Sequence, residues 1–133
     1  MPTTATIPDD LLDMFDEPAL GHLSYLNERG QIVTFPIWVD LDGERILASS
    51  PVGSRKGAAL RARPQVAVSI ASTKNPFHWL SVSGRVTAFT PDEDLAFIDK
   101  MSRKYVGGDY ERRTPREVFS IEIDRISNSG AWG

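Results

Sequence analysis

The stretch at residues 48–57 gathers the side chains of this chain best suited to holding a ligand. It reads Ala-Ser-Ser-Pro-Val-Gly-Ser-Arg-Lys-Gly, so a pair of hydroxyls, a glycine and two cations arrive just before a predicted helix start. Hydroxyls, unpaired helix N–H groups, Arg and Lys are the groups that bind a phosphate. The spacing matches neither the Walker pattern nor the dinucleotide fingerprint, which argues against nucleoside triphosphates and Rossmann cofactors. An ordinary strand-to-helix loop with solvated cations is the alternative interpretation.

The charges of the chain are segregated along the sequence. No acidic residue lies between Glu44 and Asp92. The basic residues of that stretch are Arg45, Arg55, Lys56, Arg61, Arg63, Lys74 and Arg85. Because the rest of the chain carries eight basic and eighteen acidic residues, the middle of the chain is the favoured place for an anionic ligand. Surface cations balanced in space by distant carboxylates are the competing explanation.

Other kinds of site are poorly represented. The chain has no cysteine, which excludes disulfides, a thiolate nucleophile, an iron–sulfur cluster and a Cys-based zinc site. His22 and His78 are too few for a catalytic metal site, so we predict no metal. No nucleophile-elbow pattern surrounds any serine, which argues against hydrolysis. Redox chemistry in this chain would therefore need a bound cofactor.

Length and composition indicate one ordinary globular domain spanning residues 1–133. Hydrophobic residues make up 41% and charged residues 25% of the chain, and no apolar run approaches the roughly 18 residues of a membrane span. The first residues show no signal-peptide pattern, so we expect a cytoplasmic protein without a membrane partner. The acidic remainder, a pI of about 5.3 and the lack of an interleaved aromatic–basic motif argue against nucleic acid.

The hydrophobic pattern predicts short strands with a few helices. Strands are predicted over residues 20–26, 31–40, 45–50, 66–72, 77–89 and 116–126, and helices over 7–15, 54–62 and 90–105. We expect the first three strands to pair in sequence order, Gly84 to mark a bend or a close backbone approach, and Thr90 to cap the last helix with Glu93. The predicted fold class is α+β dominated by β, a six-stranded antiparallel split β-barrel with flanking short helices, since closure removes unprotected edges.

Several segments occur in an order that resembles a known family. They are Leu20–Leu26, the run Pro36-Ile37-Trp38-Val39-Asp40, Asp42-Gly43, Gly53-Ser54-Arg55-Lys56, the run from Leu60 to Ser69, and Asn75-Pro76-Phe77-His78-Trp79 continuing to Val86. Over residues 8–126 the chain is similar to the pyridoxamine-phosphate-oxidase-like split barrels. It resembles most the short members of that group that use the deazaflavin coenzyme F-420.

The resemblance implies where a cofactor would bind. It places the cofactor in a groove between the two subunits of a homodimer, with its phosphate on Lys56 and Arg55. The implied contacts are Ser49, Ser50 and Ser54 near the phosphate, Pro36, Ile37 and Trp38 against the ring, and Asn75, Pro76 and Trp79 from the other subunit.

The resemblance also implies an activity. It predicts an oxidoreductase that passes hydride from reduced coenzyme F-420 to a small conjugated organic substrate, with the protein supplying position and electrostatics. This reaction requires no side chain as a nucleophile, and the sequence nominates no residue as the proton donor. Two alternatives stay open: an FMN-dependent oxidase or reductase of the same fold, and a carrier that binds a deazaflavin or flavin without turnover.

Overall fold

The computed structural model describes residues 6–129. A 3-10 helix over Asp9–Asp16 precedes the first strand. The strands are β1 (Gly21–Leu26), β2 (Ile32–Ile37), β3 (Asp40–Asp42), β4 (Arg45–Pro51), β5 (Gln65–Ala71), β6 (Trp79–Pro91) and β7 (Arg116–Asn128). The helices are α1 (Arg55–Ala62), between β4 and β5, and α2 (Ala96–Val106), between β6 and β7, and a short 3-10 turn over Glu93–Leu95 leads into α2.

The seven strands form one antiparallel sheet in the order β2-β1-β5-β6-β7-β4-β3. The predicted fold class is confirmed, but the predicted number of six strands is wrong and the sheet is not closed. The predicted pairing of the first three strands in sequence order is confirmed for β1 and β2. It is wrong for the next pair, because β4 pairs with β7 and with the short β3, and not with β2. Alternation of apolar residues identifies a strand but carries no information about its distant partner.

The predicted strand over residues 31–40 is divided into β2 and β3, which lie at opposite edges of the sheet. Only Trp38 and Val39 separate these strands, so Ile37 and Asp40 can be at most about 11 Å apart. The sheet therefore curls until its two edges approach each other at this corner. Val39 is kept out of the ladder because its N–H bonds the hydroxyl of Tyr105 at 3.2 Å and its carbonyl accepts from the Lys104 ammonium at 2.6 Å.

A hydrophobic core of residues from most of the described strands lies inside the curled sheet. Its fully buried side chains include Leu23, Ile46, Leu80, Phe119 and Ile121, which come from β1, β4, β6 and β7. Burying each such side chain stabilises the fold by about 1.5–3 kcal/mol before entropic costs. The core therefore ties together strands that are far apart in sequence.

Gly84 lies where β6 shifts register against β7. A Cβ atom at this position would lie 2.2 Å from the carbonyl oxygen of Glu122, a distance that no side chain can occupy. The predicted close approach of another backbone at Gly84 is confirmed.

The predicted start of the last helix is wrong. Thr90 does not cap it, because β6 continues to Pro91, which is opposite Glu117 in β7. The two oxygens of the Asp92 carboxylate instead accept the backbone N–H groups of Phe97 and Ile98 at 2.8 and 2.9 Å, and α2 begins at Ala96. Pairing with β7 extends β6 beyond Thr90, so Asp92, and not Thr90, accepts the free N–H groups at the start of α2. Within residues 6–129, no helix has the length and apolar character needed to cross a membrane.

Candidate functional site

A cleft of about 350 Å³ opens beside the corner between β2 and β3, and we call it the cation cleft. It is lined by Leu20, Pro36, Ile37, Trp38, Ser49, Lys56, Ile98, Tyr110 and Arg116. The structure thus brings together five of the residues singled out in the sequence: Pro36, Ile37, Trp38, Ser49 and Lys56. Four residues of the lining were not among the predicted cofactor contacts: Leu20, Ile98, Tyr110 and Arg116.

Lys56 is positioned by the first turn of α1. The helix begins at Arg55, and the Ser54 hydroxyl caps it by accepting the backbone N–H of Gly57 at 3.0 Å. Lys56 is half-buried, and no carboxylate of residues 6–129 lies within 4.0 Å of its ammonium. Burial, together with the positive charge of Arg116, lowers the pKa of Lys56. Lys56 therefore brings an unpaired charge to the wall of the cleft.

Arg116 is the second cation of the cleft. It begins β7 opposite Pro51, and its Nε donates a hydrogen bond to the Ser49 hydroxyl at 3.0 Å. Its guanidinium lies 5.2 Å from the centre of the Tyr110 ring. In the described part of the chain Arg116 has no carboxylate partner, and burial lowers its pKa. Counting charges along the basic middle could not find Arg116, because the β4–β7 pairing alone brings it to the site.

Two other basic residues of the middle stretch are neutralised in the fold. Arg61 forms a two-pronged ion pair with the buried carboxylate of Glu117, with contacts of 2.6 and 2.9 Å. Arg85 is paired with Asp124 at 2.8 Å. Part of the charge segregation seen in the sequence is therefore balanced across the sheet. Lys56 is among the cations of the middle stretch that have no carboxylate within 4.0 Å in the described residues.

An aromatic cluster forms the side of the cleft next to the corner. The Trp38 ring stacks on Tyr105 at 5.4 Å between centroids, and Tyr110 contacts it edge-on at 6.0 Å. The corner itself is tied down because the Tyr105 hydroxyl donates to the Ala19 carbonyl at 2.7 Å. Lys104 adds bonds from α2 to the carbonyls of Phe15 and Val39. The cleft thus combines a fixed apolar wall, which suits a planar ring, with two cations, which suit an anion.

Three residues predicted near the phosphate do not line the cation cleft. Successive side chains of β4 point to opposite faces, so Ser50 points away from Ser49 and from the cleft. Its hydroxyl is fully buried and has no hydrogen-bond partner among the described residues. The Ser54 hydroxyl is occupied as the cap of α1. Arg55 is exposed and lines a different cavity, beside Tyr25 and Ala58. Adjacent residues of a helix point about 100° apart, which separates Arg55 from Lys56.

Asn75, Pro76 and Trp79 lie around the connection between β5 and β6. The Asn75 side chain accepts the backbone N–H of Phe77 at 3.0 Å, so it shapes its own turn. Trp79 lines an apolar hollow of about 410 Å³ that shares Leu20 with the cation cleft. These residues are neighbours of the cleft and not part of its lining. Their approach to the cofactor of a second subunit stays a prediction.

The buried carboxylate of Glu17 fixes this connection. It accepts hydrogen bonds from the Ser72 hydroxyl at 3.0 Å and from both the backbone N–H and the hydroxyl of Thr73 at 2.8 Å. Burial alone would raise the pKa of Glu17, but these hydrogen bonds and the charge of Lys74 outweigh it and lower the pKa. No group of three His, Asp or Glu side chains in residues 6–129 is placed to hold a metal ion.

Solved structures share this architecture. An F420 reductase is 25% identical, with a TM-score of 0.80 over 91% of this chain and 98% of that one. A conserved hypothetical protein from Mycobacterium tuberculosis is 15% identical, with a TM-score of 0.72 over 95% and 86% of the two chains. General Stress Protein 26 from Bacillus anthracis is 14% identical, with a TM-score of 0.67 over 90% and 91%. The last two likenesses show the fold alone.

At the level of sequence, no curated protein matches the chain. The family model described as pyridoxamine 5'-phosphate oxidase matches residues 7–130, which is nearly the whole chain. The resemblance noted in the sequence is therefore confirmed, and the chain belongs to the pyridoxamine 5'-phosphate oxidase family.

Proposed function

We propose that the protein is an oxidoreductase that holds a flavin or deazaflavin cofactor by its phosphate in the cation cleft. The observation that carries this proposal is that Lys56 and Arg116 line the same cleft. Both cations are half-buried, and neither has a carboxylate partner among the described residues. Two like charges held out of water repel each other, so an anion between them is favoured.

The other residues of the cleft fit the same cofactor. The Ser49 hydroxyl accepts from Arg116 and keeps its own proton to donate to a phosphate oxygen. Pro36, Ile37 and Trp38 provide an apolar wall that would pack against a ring and exclude water from it. When bound, such a cofactor supplies the hydride-transfer chemistry, which the side chains of this chain cannot provide.

We further propose coenzyme F-420 as the cofactor and a small conjugated organic molecule as the substrate. The likeness to the solved F420 reductase supports this choice, since it combines 25% identity with nearly complete coverage of both chains. The proposal includes a cytoplasmic homodimer in which Asn75, Pro76 and Trp79 reach the cofactor of the partner subunit.

Titration with coenzyme F-420 and, separately, FMN tests the proposal. Purified protein is mixed with each cofactor, and binding is followed by the quenching of cofactor fluorescence. We expect saturable binding of coenzyme F-420 at micromolar concentration or tighter, and weaker binding of FMN. Tighter binding of FMN would instead assign the chain to the FMN-dependent alternative, and failure of both cofactors to bind would refute the proposal.

A second measurement separates an enzyme from a carrier. Protein loaded with reduced coenzyme F-420 is mixed with a panel of quinones, enones and tetrapyrroles, and the absorbance of the cofactor is followed. An enzyme oxidises the cofactor with at least one member of the panel, faster than the free cofactor reacts. A carrier binds the cofactor and leaves its absorbance unchanged.

A further inference from the structure

An ion pair joins the two elements that carry the cations of the cation cleft. Glu117 follows Arg116 in β7, and Arg61 lies five residues after Lys56 in α1. The Arg61 guanidinium donates to both oxygens of the Glu117 carboxylate, at 2.6 and 2.9 Å. Two parallel hydrogen bonds between planar groups fix an orientation as well as a distance. The pair therefore ties α1 to the start of β7 in one arrangement.

Gly57 lets the carboxylate lie directly against the first turns of α1. A Cβ atom added at Gly57 would lie 3.0 Å from Oε2 of Glu117 and 3.3 Å from Nη1 of Arg61. The same atom would lie 3.2 Å from the hydroxyl of Ser54, which caps the helix. The helix cap, the glycine and the ion pair thus meet at one point, beside the backbone that carries Lys56.

The guanidinium of Arg61 is also held by an aromatic ring. Its central carbon lies 3.9 Å from the centre of the Phe89 ring of β6, and that ring lies 6.3 Å from the ring of Phe119 in β7. A cation over an aromatic face is attracted to it. The hydrogen bonds from Arg61 lower the pKa of Glu117 against the opposing effect of burial, so the carboxylate stays charged near neutral pH. Both partners of the pair are therefore fixed in place.

The pair is suited to orienting the two elements more than to stabilising the fold. Taking a carboxylate out of water costs free energy, and apolar residues of similar volume often stabilise a protein as well as a buried ion pair does. Lys56 and Arg116 repel each other across the cleft, which favours moving α1 away from β7. The bonds between Arg61 and Glu117 oppose that movement.

We propose that Arg61 and Glu117 are positioning residues, which hold Lys56 and Arg116 at the separation that binds a phosphate between them. This inference rests on the proposed function, because the cofactor phosphate is the anion concerned. Neither Arg61 nor Glu117 lines the cation cleft, so both act through the two cations.

The placement of the two cations can be measured without a cofactor. The chain has four lysines, so NMR of protein labelled at the lysine Cε resolves Lys56, and the Lys56→Arg variant assigns its signal. In Glu117→Gln we expect the pKa of Lys56 to rise toward its ordinary 10.5, because Lys56 gains water and moves away from Arg116. Loss of the carboxylate charge without movement would instead lower that pKa. An unchanged or lowered pKa would overturn the proposal.

Cofactor affinity is the second readout. Glu117→Gln and Arg61→Met should each weaken the cofactor that binds more tightly, coenzyme F-420 or FMN, about tenfold in the fluorescence titration. Asp124→Asn is the control for both readouts, because it breaks an ion pair between β7 and Arg85 that does not involve α1. It should change neither the affinity nor the pKa of Lys56.

A double variant separates positioning from stability. Arg61→Met combined with Glu117→Met replaces the ion pair by an apolar contact, which leaves no unpaired charge. We expect this variant to recover the free energy of unfolding that Glu117→Gln loses, while its cofactor affinity stays about tenfold below that of the wild type. Recovery of the affinity together with the stability would show that the pair is only structural, and would refute the proposal.

The two readouts also distinguish this inference from the proposed function. If the wild type binds neither cofactor, the proposed function fails, and the pKa of Lys56 in Glu117→Gln alone supports or overturns the inference. If the wild type binds a cofactor and the variants of Arg61 and Glu117 bind it equally well, the proposed function stands and the positioning role is refuted.

Discussion

Lys56 at the start of α1 and Arg116 at the start of β7 present two positive charges to one cleft, and the charge of Arg116 adds to burial in lowering the pKa of Lys56. Strand β4 brings them together. It ends at Pro51, opposite Arg116, and its Ser49 hydroxyl accepts the hydrogen bond from the Arg116 Nε. Packing alone does not require two unpaired cations here, and an anionic ligand would stabilise both.

Replacing Lys56 by alanine should weaken cofactor binding about tenfold to a hundredfold, because a charge-assisted hydrogen bond contributes about 1.5–3 kcal/mol. Arg55→Ala is the matched control, since it removes the same charge from the adjacent residue, which lines a different cavity beside Tyr25 and Ala58. Dissociation constants for the two variants come from the fluorescence titration. Equal losses in both variants would mean that Arg55 also reaches the phosphate, as the family resemblance implies.

Cofactor affinity should fall as the pH rises through the lowered pKa of Lys56 in the free protein. The anion binds only the charged lysine and raises its pKa, so affinity declines until the pH reaches the pKa in the complex. Titrations from about pH 8 to about pH 10.5 measure this decline. The Lys56→Arg variant stays charged over that range and should show a much flatter profile. A wild-type profile as flat as that of the arginine variant would rule out Lys56 as the titrating group.

Glu17→Gln should lower the free energy of unfolding near neutral pH by about 1–3 kcal/mol, because it removes the charge that accepts hydrogen bonds from Ser72 and Thr73. Since the folded-state pKa of Glu17 is lowered, the unfolded chain binds more protons between that value and the ordinary 4.5. The contribution of Glu17 is therefore present above 4.5 and lost as the pH falls through the lowered pKa.

Urea unfolding of the Glu17→Gln variant at several pH values checks this prediction. As the pH is lowered below 4.5, the free energy of unfolding should fall less in the variant than in the wild type. Asp13→Asn is the control, because Asp13 is exposed on the same 3-10 helix. Identical acid profiles for the wild type and the Glu17 variant would contradict the assignment.

Gly84→Ala should destabilise the fold by about 3 kcal/mol or more, since its Cβ would lie 2.2 Å from the backbone of β7. Gly108→Ala serves as the comparison, because no atom lies within 4 Å of its added Cβ, and it should change stability by less than about 0.5 kcal/mol. Thermal unfolding of both variants decides the point. A Gly84 variant as stable as the Gly108 variant would mean that β6 can move away from β7 at this position.

The individual elements could be predicted from the sequence because they depend on local chemistry. Alternating apolar residues fixed β1, β5 and β7 within a residue or two, and Ser54 caps α1 where the hydroxyl precedes the helix. The acid-free middle of the chain pointed to Lys56, which the structure places in a cleft without a carboxylate partner among the described residues. Local patterns could not predict which strands pair, and this is why β3 was not separated from β2.

The site itself depended on contacts between distant segments. Arg116 joins Lys56 only because β7 pairs with β4, and Tyr110 reaches the cleft from the segment after α2. Sequence alone determined that this chain carries unopposed cations at the start of a helix in a mostly antiparallel β domain. Tertiary structure decided which of those cations share a cleft, because ion pairing and burial are set by neighbours in space and not by neighbours along the chain.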